Sequence, residues 1–125
     1  MVMIDESILN TIKKMIGFEP NYTAFDEDII VLINSTIREL YQLGVGTDDF
    51  YISDSNSTWA DYLGVNAGII DDVKTYVYCK VRIIFNPPTN SFIVNSYKDT
   101  INEMAWRICT RNDLARNNHE ENEDE

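Results

Sequence analysis

The side chains that most often carry chemistry are few in this chain and badly placed for it. Its single histidine, His119, lies among the acids of residues 117–125, where nothing rigid could orient an imidazole as a base or a ligand. It reads as a solvated residue. Carboxylates pair at Asp26/Asp28, Asp48/Asp49 and Asp71/Asp72. The first and third pairs open helical patterns, where carboxylates satisfy free N–H groups, so capping is expected there in preference to acid–base work. Asp48 and Asp49 fall in a polar loop and read as solvated. Cys79 and Cys109 stand 30 positions apart, neither with a second Cys to make a CxxC pair. They read as buried or half-buried helix residues, not as a disulfide or metal site.

One stretch imitates a calcium loop. Asp54, Asn56 and Thr58 have the opening spacing, but the sixth position needs Gly and the twelfth Glu, and Trp59 and Val65 stand there. The motif fails. GxxxxGK[ST], GxGxxG and HExxH are all missing, so no nucleotide, cofactor or metal chemistry is indicated, and the chain reads as a non-enzyme.

Basic and aromatic residues are the remaining candidates. Lys74, Lys80 and Arg82 punctuate one helical pattern, and Arg107, Arg111 and Arg116 space out along another. One reading is a solvated face paired with nearby acids. The other is a subunit contact, since interfaces favour Arg and aromatic side chains. The solvated face is the first reading, and Tyr76, Tyr78, Trp59 and Trp106, too many large rings for one small core, tilt the balance only slightly toward the second.

The elements that must position these residues are helices. Ile4, Ile8, Ile12, Met15 and Ile16 repeat at helical spacing, with Asp5 near the start and Gly17 as a stop. Ile29, Ile30, Ile33, Ile37, Leu40 and Tyr41 mark a second helix over about 26–43, with Gly44 as its cap. A loop rich in Gly, Asp, Ser and Asn follows over 44–57, whose centre, Phe50, Tyr51 and Ile52, suits a short strand. Thr58 to Asp61 has the spacing of a capping box, predicting a single-turn helix that ends at Gly64. A third long helix spans about 70–85 and stops at Pro87 and Pro88. The last begins near Asn90 or Ser91, carries Ile93, Tyr97, Ile101, Met104, Ala105 and Ile108, and runs to about Arg116. The fold class is therefore all-α: a small bundle of about four main helices with a long loop in the middle.

Composition sets the outer limits. The 125 residues fit one domain, and 44% hydrophobic content is too high for a disordered chain. The longest apolar runs, such as 29–33, fall far short of the roughly 20 residues that cross a bilayer, and the first 16 residues lack the basic-then-apolar order of a signal peptide. A net charge of −11 argues against gripping phosphate backbones, where affinity comes from Lys and Arg. Residues 117–125 hold five acids and neither Lys nor Arg, and are expected to be a disordered acidic tail beyond a folded domain over 1–116.

Five fragments in order carry a family resemblance: Phe25-Asp26, Leu43-Gly44-Val45-Gly46, Trp59, the stretch VKTYVYCKVRIIFNPPTNSF over 73–92, and Glu103-Met104-Ala105-Trp106-Arg107. Together they resemble small head-tail connector (adaptor) proteins of siphovirus-type tailed bacteriophages, over about 4–108. Asn86 departs from the Asp common among relatives and keeps a similar helix-ending role. The resemblance implies a structural virion protein at the neck, made in the host bacterial cytoplasm before assembly. Such proteins form a homo-oligomeric ring, a dodecamer in the virion, beneath the portal protein, where they extend the DNA channel and dock the stopper or tail-completion protein. DNA would pass without sequence-specific binding, and an acidic wall would repel it.

On this reading, Lys80, Arg82, Trp106, Arg107 and Arg111 are candidates for contacts between subunits, and Phe50, Tyr51 and Trp59 for contact with portal or stopper. For Trp106 a core position is the slightly preferred reading. Two alternatives stand beside the adaptor reading: a tail-completion or stopper protein, and an acidic DNA-mimic inhibitor.

Overall fold

The computed structural model describes the backbone of residues 6–123 and, within it, the side chains of 6–64 and 68–111. Five α-helices follow in order: α1 (Ile8–Ile16), α2 (Asp26–Gln42), α3 (Trp59–Leu63), α4 (Ile70–Phe85) and α5 (Ser91–Glu123), with a 3₁₀ turn at Gly64–Ile69 between α3 and α4. The all-α expectation holds.

Helix α1 begins later than its apolar spacing suggests, because Ser7 caps it. The Ser7 Oγ accepts from the Asn10 N–H at 3.2 Å; Ile4 and Asp5 lie outside the described residues. Gly17, at φ 116°, turns the chain out of α1 in a left-handed conformation that side chains resist. The capping box on α3 forms as the spacing predicts: Asp61 N–H donates to Thr58 Oγ1 at 3.2 Å, and Thr58 N–H donates to Asp61 Oδ2 at 2.9 Å. These two capped starts are tied together. Ile8 N–H donates to the Ser57 carbonyl at 3.0 Å and Trp59 N–H to the Glu6 carbonyl at 3.1 Å, forming an isolated antiparallel bridge.

The acids expected to cap α2 and α4 do something else. Neither helix has a side-chain cap, and Asp26, Glu27, Asp28, Asp71 and Asp72 occupy first-turn positions, where their charge complements the helix dipole. Asp26 also ion-pairs with Lys13, 2.8 Å away. Lys13 is a fully buried lysine whose Nζ donates to the Pro20 carbonyl at 2.9 Å, so it pins the turn between α1 and α2.

Helix α4 is the centre of the bundle. Helices α2 and α5 flank it, each packing on α4 and hardly on one another, while α1 lies over α2 and α4. The core joins Ile8 and Ile12 of α1, Ile29, Ile33, Ile37 and Leu40 of α2, Val73, Val77 and Val81 of α4, and Ile101, Met104 and Ile108 of α5. Helix α5 continues as backbone to Glu123, past the end near Arg116 that its apolar spacing gives. No Gly or Pro follows Arg116 to interrupt it. The side chains of Arg116, His119 and the acids of 117–125 lie outside the described residues.

Candidate docking surface

The loop over 44–57 forms no strand among the described residues, yet it keeps a strand's alternation. Ile52 is buried, Tyr51 projects with 69% of its surface exposed, and Phe50 turns back to stack on Tyr62, ring centres 4.9 Å apart. A side chain replaces the missing partner strand. Asn34, on α2, accepts from the Ile52 N–H at 2.8 Å and donates from Nδ2 to the Ile52 carbonyl at 2.9 Å. Both backbone groups of a buried residue are thereby satisfied. Gly46 permits the close approach at the loop's other end. At φ +75°, a Cβ there would lie 2.6 Å from Tyr62 Cε1.

Tyr62 is the loop's floor, and its hydroxyl is buried without a hydrogen-bond partner among the described residues. Burial pushes its phenol well above the usual tyrosine range. Trp59, expected at a contact surface, proves to be core, with none of its surface exposed. The bridge to α1 explains this: it tucks the first turn of α3 inward, and the Trp59 Nε1–H donates to Thr11 Oγ1 at 3.1 Å. Lys74 Nζ sits 5.7 Å from the centre of the Trp59 ring.

A second region lies on α4 and α5. Lys80 reaches Glu39 of α2 at 3.1 Å and lies 5.8 Å from the Tyr76 ring. The Tyr76 hydroxyl donates to the same carboxylate at 3.4 Å; burial, then the Glu39 charge and hydrogen bond, push that phenol up to about 12. Arg82 Nε donates to the Asn86 carbonyl at 2.7 Å, closing α4. Arg107 lies between Glu103 at 2.8 Å and Asp72 at 3.8 Å, and Arg111 donates to the Gly68 carbonyl at 2.6 Å. Lys80 and Arg107 thus pair with nearby acids, as a solvated face would have them, whereas Arg82 and Arg111 bind backbone carbonyls of their own chain.

The free surface is apolar and aromatic. Trp106 is 67% exposed, which overturns its core reading. Ile101, Met104 and Ile108 turn inward at three- and four-residue steps, and that puts position 106 on the far side of α5. Sequence reasoning missed Phe92, 83% exposed, and Ile84 and Val31, exposed at 63% and 65%. Helical spacing offered a signal for two of them, since Phe92 and Val31 fall off the apolar stripes of their helices. Phe50 and Tyr51 belong to the loop beside α2, whereas Lys80, Arg82, Trp106, Arg107 and Arg111 belong to α4 and α5.

Among the described residues, no three His, Cys, Asp or Glu side chains group closely enough to hold a metal ion, and no helix is long and apolar enough to cross a membrane. What the surface offers is contact: a stiff aromatic loop on one element, and exposed rings and aliphatic side chains on two others. That is the make-up of an all-α module that works by binding other proteins. The chain belongs to the phage connector protein family, whose sequence model matches residues 8–114, nearly all of the described fold. Curated proteins and solved structures give no match. The protein is accordingly a structural connector and a virion component that interacts with other head-tail proteins of the phage particle.

Proposed function

We propose that the chain is a head-tail adaptor of siphovirus type that assembles as a closed ring beneath the portal, extends the DNA channel and docks the stopper or tail-completion protein. The observation that carries this is the family match over residues 8–114, on a fold with more exposed rings than a lone domain needs. The stiff loop bearing Tyr51, with Phe50 at its base, is the contact for portal or stopper. The α4–α5 surface with Lys80, Arg82, Trp106, Arg107 and Arg111 lies between neighbouring copies, as twelve-fold closure through heterologous contacts requires. Residues 1–116 form the connector module and 117–125 an acidic extension. The net charge of −11 suits a duct through which DNA slides without sequence-specific binding.

Co-sedimentation of the full chain with portal rings from the same phage tests this. A fixed ratio of about one chain per portal subunit is the expected result, on the logic of matched closed rings. A chain that stays in the supernatant beside intact portal rings would sink the adaptor reading and favour the stopper or DNA-mimic alternative.

A further inference from the structure

A groove of about 320 Å³ opens between α4 and α5, lined by Lys80, Ile83, Ile84, Lys98, Ile101 and Asn102. Three isoleucines, the buried Ile101 among them, give it an aliphatic lining, and two lysines add ammonium groups. Lys80 is engaged by Glu39, but Lys98 makes no ion pair among the described residues. In a chain with 21 acids and 10 bases, an apolar groove with cations in its lining is an unusual patch. It suits a segment that offers an aliphatic knob beside carboxylates.

This chain carries such a segment on another face. Val31 points away from the buried side of α2, and Glu27 and Asp28 precede it by four and three residues, so all three share one exposed stripe. Among the described residues, neither carboxylate has an ion-pair partner. We infer that the Glu27–Asp28–Val31 stripe of one copy seats in the Lys80/Lys98 groove of the next, with Val31 against Ile84 and the carboxylates against Lys98 and Lys80. The two surfaces are different parts of the same molecule, so the contact is heterologous and can propagate from copy to copy until it closes. The inference rests on the proposed ring and names the faces that would build it.

The test assembles the full chain on portal rings from an equal mixture of isotopically light and heavy protein, then joins carboxylates to amines with a zero-length carbodiimide. Mixed light–heavy cross-links from Glu27 or Asp28 to Lys98 or Lys80 are expected. Lys98→Glu should lower assembly about tenfold without altering the helical circular dichroism, and adding Glu27→Lys and Asp28→Lys should restore it. Oligomers that form with cross-links elsewhere, and with Lys98→Glu assembling like the unaltered chain, would overturn these faces while leaving the ring intact. Failure to form any oligomer, with or without portal rings, would overturn both. Should Lys98→Glu misfold, the cross-link map of the unaltered chain still decides.

Discussion

The loop over 44–57 and helix α5 invert the usual relation between regularity and integration. The loop has no repeating backbone, yet it is held at two points, where Asn34 binds the buried Ile52 and where Tyr62 stacks on Phe50. Helix α5 is the longest regular element, yet Ile101, Met104 and Ile108 are its fully inward residues among those described, while Phe92 and Trp106 stand in solvent. Irregular backbone can be the fixed part of a surface when side chains supply its hydrogen bonds. A long helix, whose backbone satisfies itself, can meet the core along a narrow stripe and leave its other faces free for partners.

The contrast can be broken most severely at its foundation. Trp59→Ala should cost about 3–5 kcal/mol, read from urea unfolding, because it empties a fully buried core position beside α1 and α4 and leaves Thr11 without its indole donor. Asn34→Ala should cost about 2–3 kcal/mol, since it strands a buried N–H and C=O on Ile52. Amide exchange at Ile52 should accelerate in that variant; unchanged protection would show that the clamp does not hold the loop. Tyr62→Phe should move stability the other way by about 1 kcal/mol, because it removes a buried hydroxyl that has no partner among the described residues.

Alkaline titration sharpens the picture at α4. The Tyr76 phenol is raised to about 12 in the fold, against about 10 in the unfolded chain, so the unfolded state gives up its proton first. Stability from this group is complete below about pH 10 and is lost as pH rises toward 12. Tyr62, raised by burial, contributes with the same sign. Tyr76→Phe should therefore flatten the fall in stability over that window, and an unchanged slope would remove Tyr76 as its source. The smallest stability effect belongs to α5: Trp106→Ala should shift unfolding by less than about 0.5 kcal/mol while weakening assembly on portal rings. A large loss of stability would return Trp106 to the core.

Much of this was legible in the residues, for a definite reason in each case. Helical spacing and the stops at Gly17, Gly44 and Pro87 marked the long helices, because periodic burial and backbone chemistry are local properties. The Thr58–Asp61 box was legible for the same reason. The roles of Trp59 and Trp106 were not. Both are tryptophans in helices, and their placement depends on contacts far apart in sequence, Thr11 with Trp59 being 48 positions distant. Asn34 was hidden too, since a lone amide on a helix announces nothing until the chain folds Ile52 against it. The cations at Lys80, Arg82, Arg107 and Arg111 were identified as surface residues from their type, but their intramolecular partners come from several elements and leave no pattern in the sequence.

The Asn34 clamp bears on when the loop's disorder is given up. Fixing a residue's backbone costs on the order of 1–2 kcal/mol of conformational entropy, whichever process does the fixing. Because Asn34 and Tyr62 hold the segment around Tyr51 in the folded subunit, that loss is met during folding and is not charged again at docking. If Tyr51 is the docking residue proposed above, it meets portal or stopper with its backbone already placed, and its contribution to affinity is then set by the fit of one ring and not by the ordering of a strap.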